Sequence, residues 1–121
     1  MISQYVQAAL VAESKVLTHP ASVDSITTSG NQEDHVSMGW GAGRKLFPIL
    51  DNTRRVIAVE MLCAVQGLEY RKPHQPAPGT ASVASLIRDH VPPLARDRSL
   101  SDEIEVVARL IGDGSVASAI G

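Results

Sequence analysis

The 121-residue sequence predicts an all-α protein. Apolar residues recur at intervals of three and four in several segments, as expected for helices with a buried face. Prolines and glycines, which end helices, separate these segments, and no useful length of strand-like alternation occurs. A hydrophobic content of 44% and a charged content of 20% are typical of globular chains and argue against disorder.

The first predicted helix covers residues 1–17, where the run from Ala8 to Ala12 supplies strong helix formers. Pro20 ends this helix. The next segment, residues 18–35, is rich in Ser, Thr and Asp and is predicted to be a loop. Local side-chain to backbone bonds are expected to shape it. The residues expected to make them are Ser25, Thr27, Thr28 and Ser29.

A long helix is predicted over residues 36–70, capped by Asp34 or Asn31 and bent or interrupted at Pro48. One apolar stripe contains Leu46, Leu50, Ile57, Met61, Val65 and Leu68, whereas Ile49, Val56, Val59 and Leu62 lie off it. A helix that is apolar around much of its circumference is buried on several sides. Other subunits or sequence outside this chain are therefore expected to cover part of it. Cys63 is predicted to be a small buried hydrophobe.

Short helices are predicted within residues 80–121. The first is expected to be capped by Thr80 and to end before Pro92. The second is expected to be capped by Ser101 and to end at Gly112 or Gly114. Their inward-facing residues are predicted to be Val83, Leu86, Ile87, Ile104, Val107, Ala108 and Ile111.

Charge and cysteine content exclude several classes of function. A net charge of −2, without basic clusters that contain aromatic residues, argues against nucleic acid and acidic membranes as partners. The longest apolar run, residues 56–65, contains Glu60 and is too short to span a bilayer. A single cysteine cannot form an internal disulfide, and no signal peptide is visible at the first residues. We therefore expect a cytoplasmic protein.

The segment Thr28–Gly39 is the candidate site, because Gln, Glu, Asp and His follow one another beside apolar helical sequence. One hypothesis is that Glu33 binds or deprotonates a small polar substrate. The alternative is that Asn31 and Asp34 cap the next helix while Glu33 is solvated, and composition alone favours this alternative.

Two other kinds of site have weaker support. A metal site could draw on a set of His and acidic side chains, but these lack the spacing of known zinc and iron sites. A serine hydrolase would need a Gly-x-Ser-x-Gly turn, and none occurs. The metal set is His19, Asp24, Glu33, Asp34 and His35, and the serines are Ser22, Ser25, Ser29 and Ser37.

Two adjacent segments, residues 19–26 (HPASVDSI) and 28–38 (TSGNQEDHVSM), closely resemble the C-terminal part of the histidine ammonia-lyase family. The resemblance extends along nearly the whole chain. Thr27 departs from the proline that many members have there. The flanking segments that also match include Ala8-Ala9-Leu10-Val11, Arg44-Lys45-Leu46, Gln66-Gly67-Leu68 and Arg96-Asp97-Arg98.

The resemblance implies a site for L-histidine. Members of this family are largely helical homotetramers that convert L-histidine to trans-urocanate and ammonia, and their active sites combine residues from three subunits. Glu33 matches the motif glutamate that faces the substrate, and Gln32 is its neighbour in substrate binding. Related phenylalanine and tyrosine lyases carry glutamine in place of Glu33. A carboxylate makes a charge-assisted bond to an imidazole N–H, and a phenyl ring has no such donor.

The family's electrophile is a methylidene-imidazolone group formed from an internal Ala-Ser-Gly, which this sequence lacks. The sequence also lacks the long N-terminal part that carries the family's other catalytic residues. We therefore predict that the chain is one segment of a histidine ammonia-lyase and is inactive alone. The alternative is a free-standing lyase-like helical module that assembles with other chains without catalysis.

Overall fold

Five α-helices form the fold, as a computed structural model of residues 2–121 describes it. They are α1 (Ile2–Leu17), α2 (Gly39–Glu69), α3 (Pro78–Arg88), α4 (Ser101–Gly112) and α5 (Ser115–Ile120). A short 3-10 turn, Ser29–Asn31, lies in the loop between α1 and α2. The all-α fold class is thereby confirmed. None of these helices within residues 2–121 is long and apolar enough to cross a membrane.

The core surrounds the C-terminal half of α2. Ala58, Leu62 and Val65 pack with Ile87 and Val91 from α3 and its C-terminal end, and with Val107 and Ala108 from α4. Ile87 and Val107 are fully buried, as their predicted inward positions require. Burying one Val, Leu or Ile side chain stabilises the folded state by about 1.5–3 kcal/mol. The packing at this end of the molecule therefore contributes strongly to the stability of the fold.

α1 packs along α2 and contacts its middle through polar side chains. Asn52, which is only 5% exposed, donates from Nδ2 to Glu13 Oε2 at 2.8 Å and to Ser14 Oγ at 3.3 Å. Gln7 Nε2 donates to the Val56 carbonyl oxygen at 3.0 Å. A buried amide that lost these partners would keep its desolvation cost, so these bonds fix the position of α1 along α2.

The helix starts differ from those predicted. α2 begins at Gly39 after Met38, whose φ of 51° is left-handed, so Asn31 and Asp34 lie too early to cap it. Pro48 lies inside α2, which continues through it. α3 begins at Pro78, because proline suits the first helical turn, and the predicted Thr80 cap is wrong.

The predicted Ser101 cap is also wrong, because Ser101 is the first residue of α4 and Leu100 precedes the helix. Asp102 and Glu103 lie in the first turn of α4, where their negative charges interact favourably with the positive end of the helix dipole. Gly112 ends α4, and Gly114, with φ of 85°, separates it from α5.

Large apolar side chains are exposed along the first half of α2. Trp40 is 82% exposed and Phe47 is 69% exposed, and Leu46 and Leu50 of the predicted stripe are also exposed. Cys63 is exposed as well, so its predicted burial is wrong. Exposed apolar side chains of this size are typical of surfaces that contact other polypeptide, and the covering of α2 by other chain stays a prediction.

An ion pair between α2 and α4 should make stability depend on pH. Arg55 Nε donates to Glu105 Oε1 at 2.7 Å, and this hydrogen bond, followed by charge attraction from Arg55 and Arg109, lowers the pKa of Glu105. The stabilisation is therefore complete above about pH 4.3, the ordinary glutamate pKa, and is lost as the pH falls through the lowered pKa. Both side chains are more than a third exposed, so we expect about 0.5 kcal/mol.

Thermal unfolding of the chain and of Glu105→Gln between pH 3 and 7 checks this. The variant should be slightly less stable at pH 7, and the gap should close towards pH 3. A gap that stayed constant over the whole range would contradict a contribution from the Glu105 charge.

Candidate functional site

The candidate site is a hairpin-like loop between α1 and α2. Thr28 N donates to the Glu33 carbonyl oxygen at 2.7 Å, and Glu33 N donates to the Thr28 carbonyl oxygen at 3.3 Å. These two bonds make an isolated antiparallel bridge. The bridge places Glu33 directly opposite Thr28, although four residues separate them in the sequence.

The turn that closes this bridge is left-handed at three consecutive residues. The φ angles are 53° at Ser29, 62° at Gly30 and 70° at Asn31. Glycine adopts this conformation freely and asparagine does so more readily than most residues, but Ser29 is uncommon there. Non-glycine residues in this region cost about 1–3 kcal/mol and persist only where surrounding bonds fix them.

Ser25 fixes the base of the loop. Its hydroxyl donates to the Asp34 carbonyl oxygen at 2.7 Å and accepts from Val36 N at 2.9 Å. Lys45 of α2 donates from Nζ to the His19 carbonyl oxygen, which ties the start of the loop to the long helix. The two arms of the loop are therefore joined by the Thr28–Glu33 bridge and by the Ser25 bonds. The Lys45 bond anchors the loop to α2.

The side chain of Glu33 is held at one of its two oxygens. Thr28 Oγ1 donates to Glu33 Oε2 at 3.1 Å, and Ser29 Oγ donates to the same atom at 3.4 Å. Among the hydrogen bonds described for residues 2–121, none goes to the other oxygen, Oε1. Glu33 is exposed, so Oε1 can accept a hydrogen bond from a bound molecule.

The other residues proposed from the sequence have different surroundings. Gln32 follows the turn, its N–H donates to the Ser29 carbonyl oxygen at 3.3 Å, and its side chain is exposed next to Glu33. His35 Nε2 lies 4.0 Å from Asp34 Oδ1, and both side chains are largely solvated. Within the described part of the chain, no three His, Cys, Asp or Glu side chains are grouped to hold a metal ion.

Sequence reasoning missed the hydroxyl contacts to Glu33. Ser25 bonds to backbone, but at Asp34 and Val36 and not at the local positions expected. Thr28 and Ser29 bond to the Glu33 carboxylate instead of to backbone. The signal that could have revealed this is the Ser-Gly-Asn turn between Thr28 and Glu33, which favours left-handed backbone and a reversal of the chain.

Comparisons with known sequences identify the class of protein to which this helical fold belongs. Residues 1–89 match the model of the family described as aromatic amino acid lyase. The chain belongs to the aromatic amino acid lyase family.

Relatives within this family include histidine ammonia-lyases. The histidine ammonia-lyase of Natranaerobius thermophilus is 54% identical over 118 residues, which cover 98% of this chain and 23% of that protein. The crystal structure of histidine ammonia-lyase from Trypanosoma cruzi superposes with a TM-score of 0.93 at 42% identity, covering 99% of this chain and 24% of that one. The chain thus spans about a quarter of the length of the curated relatives it matches.

The same fold also occurs in an enzyme with another name. The crystal structure of tyrosine aminomutase from Streptomyces globisporus has a TM-score of 0.90 and 35% identity, covering 97% of this chain and 22% of that chain. Fold alone therefore leaves open which substrate a protein containing this segment uses, and the side chains of the loop must decide.

Proposed function

We infer that this segment contributes the imidazole-binding side of a histidine ammonia-lyase active site, which converts L-histidine to trans-urocanate and ammonia. The observation that carries this is the exposed Glu33 carboxylate, held at Oε2 by two hydroxyls and with Oε1 available. An imidazole N–H donating to a carboxylate makes a charge-assisted hydrogen bond, about twice as strong as a neutral one. Gln32, next to Glu33, is the second substrate-binding residue.

Glu33 has a second possible role. A carboxylate within hydrogen-bond reach of a substrate proton can also act as a general base. The loop supplies the conditions for either role, because its backbone is fixed by the bridge to Thr28 and by the Ser25 bonds. We assign Glu33 to the substrate contact first and to proton abstraction second.

The family resemblance implies a methylidene-imidazolone group, which supplies the electrophile that makes the substrate amine a leaving group. The chain has no Ala-Ser-Gly and cannot form this group from its own residues. The described loop offers Glu33 Oε1 as an acceptor for an imidazole N–H, and its hydroxyls bond mainly to other groups of the loop. This segment therefore binds and orients substrate, and the electrophile comes from the rest of the polypeptide.

The exposed apolar surface supports a site completed by other polypeptide. Trp40 and Phe47 stand exposed on the first turns of α2, immediately after the loop that carries Glu33. Covering them would bring other chain close to the loop and exclude water from it. By resemblance, this covering consists of the N-terminal part and of the other subunits of a cytoplasmic homotetramer that acts in histidine catabolism.

Product analysis of the full-length protein that contains this segment tests the proposal. L-Histidine, L-tyrosine and L-phenylalanine are supplied separately, and each reaction is examined for the unsaturated acid, for ammonia and for a β-amino acid. Urocanate and ammonia from histidine are expected. Reaction with tyrosine or phenylalanine in preference to histidine would contradict the assigned substrate, and a β-amino acid product would indicate aminomutase chemistry instead.

A further inference from the structure

The two hydroxyls that contact Glu33 act on the same oxygen atom. Thr28 Oγ1 lies 3.1 Å and Ser29 Oγ lies 3.4 Å from Oε2. A glutamate carboxylate otherwise rotates broadly about its last side-chain torsion, and an exposed one has many orientations. Two donors on one oxygen restrict this rotation and distinguish Oε2 from Oε1. The arrangement therefore makes a symmetric group asymmetric.

The backbone of the loop is built to bring both hydroxyls to this oxygen. The bridge sets Thr28 opposite Glu33, and the left-handed φ of 53° at Ser29 turns the next hydroxyl towards the same carboxylate. An extended Ser29 would carry its side chain to the opposite face, because successive residues of an extended chain alternate. The uncommon conformation of Ser29 thus accompanies a specific contact.

Fixing the carboxylate before substrate arrives has a direct effect on binding. A flexible acceptor loses conformational freedom when it binds a ligand, whereas a restrained acceptor has lost it already. Geometry within about half an ångström is what catalytic groups require. Glu33 alone would be a mobile surface side chain, since it is exposed in the described segment.

We propose that Thr28 and Ser29 are positioning residues, whose hydroxyls hold Oε2 of Glu33 so that Oε1 receives the substrate's imidazole N–H. This inference rests on the proposed function of Glu33. In this proposal Thr28 and Ser29 do not contact the substrate, and they affect its binding only by orienting Glu33.

The test compares hydroxyl removal with hydroxyl retention in the full-length protein. Thr28→Val keeps the shape and the backbone bridge but loses the donor, and kcat/KM for histidine should fall about tenfold, the value of one hydrogen bond to a charged group. Thr28→Ser keeps a hydroxyl donor, and its kcat/KM should stay within about threefold of that of the unmodified protein. Ser29→Ala removes the longer of the two contacts, and its kcat/KM should fall about threefold.

The matched control is Thr27→Val, the same change one residue earlier, at an exposed threonine that lies outside the bridge. The kcat/KM of this variant for histidine should stay within about twofold of that of the unmodified protein. Thermal unfolding of each variant confirms that the changes in rate are measured on folded protein.

A double-mutant cycle with Glu33→Ala, which removes the acceptor that Thr28 contacts, gives the readout that a merely structural role would not produce. If Thr28 acts through the Glu33 carboxylate, Thr28→Val should lower kcat/KM by less than about twofold once Glu33→Ala is present. An equal loss in both backgrounds, or a Thr28→Ser variant as impaired as Thr28→Val, would overturn the positioning role.

The same measurements separate this inference from the function on which it rests. If Glu33→Gln strongly impairs turnover while Thr28→Val matches Thr27→Val, the positioning role fails and the role of Glu33 stands. If the unmodified protein forms no urocanate from histidine, the proposed function fails and the positioning role fails with it.

Discussion

Glu33→Gln in the full-length protein should reduce kcat/KM for histidine by at least about tenfold, and by about a hundredfold or more if Glu33 is also a base. Glutamine preserves the size of the side chain and can still accept from Thr28 and Ser29, but it removes the charge. A charge-assisted bond to the imidazole becomes a neutral one. The measurement is the rate of urocanate formation over a range of histidine concentrations.

The division between KM and kcat distinguishes the two roles of Glu33. A rise in KM with little change in kcat would indicate lost ground-state binding, whereas a fall in kcat would indicate an interaction made in the transition state. Asp34→Asn is the matched control, because it removes the neighbouring charge from an exposed residue whose carboxylate lies outside the hydroxyl contacts. Unchanged kinetics in Glu33→Gln would remove Glu33 from the site.

The isolated 121-residue chain should form no urocanate above the background measured with its Glu33→Gln variant. A carboxylate can bind an imidazole, but the amine of histidine stays a poor leaving group and its β-proton stays weakly acidic without an electrophile. The chain contains no Ala-Ser-Gly from which the electrophile could form. The full-length protein, assayed in parallel, is the positive control.

Turnover by the isolated chain above its Glu33→Gln variant would show that the segment has catalytic chemistry of its own. Reading the gene around this segment then addresses the alternative of a non-catalytic helical module. An open frame that continues upstream and encodes Ala-Ser-Gly supports the lyase, whereas an in-frame stop directly upstream supports the module.

Much of the fold could be predicted because its helices obey local rules. α4 has apolar residues at helical spacing, acidic residues in its first turn and Gly112 at its end, and its predicted inward residues Val107 and Ala108 are buried. The start of α2 could not be predicted in the same way. Its first residues, Gly39-Trp40-Gly41-Ala42-Gly43, include three poor helix formers, and the preceding Met38 has no capping side chain.

The exposure of individual residues was harder to predict than the helices. Cys63 lies in an apolar run of a buried-looking helix, yet the described fold leaves that part of α2 open. A sequence pattern reports that a face prefers to be covered, and it does not report which polypeptide covers it. The same limit explains why Leu46 and Leu50, on the predicted stripe, are exposed.

The residues of the candidate site were proposed from the sequence, and the contacts among them were missed. The motif around Gln32 and Glu33 could be recognised from its sequence, and the roles of both residues remain predictions. The bonds from Thr28 and Ser29 to Oε2 depend on three consecutive left-handed residues. Such a turn is favoured by Gly30 and Asn31, but the residue type of Ser29 does not predict its extension to that position.

The bridge between Thr28 and Glu33 makes the length of this loop a stricter requirement than its composition. Exchanging Glu33 for another side chain changes what the loop recognises and keeps its path. Deleting or inserting one residue between Thr28 and Glu33 would shift the pairing by one position and turn the carboxylate to the opposite face, since side chains alternate along paired segments. New substrate preferences can therefore arise here through substitutions, whereas insertions and deletions would misdirect the side chain that we propose meets the substrate.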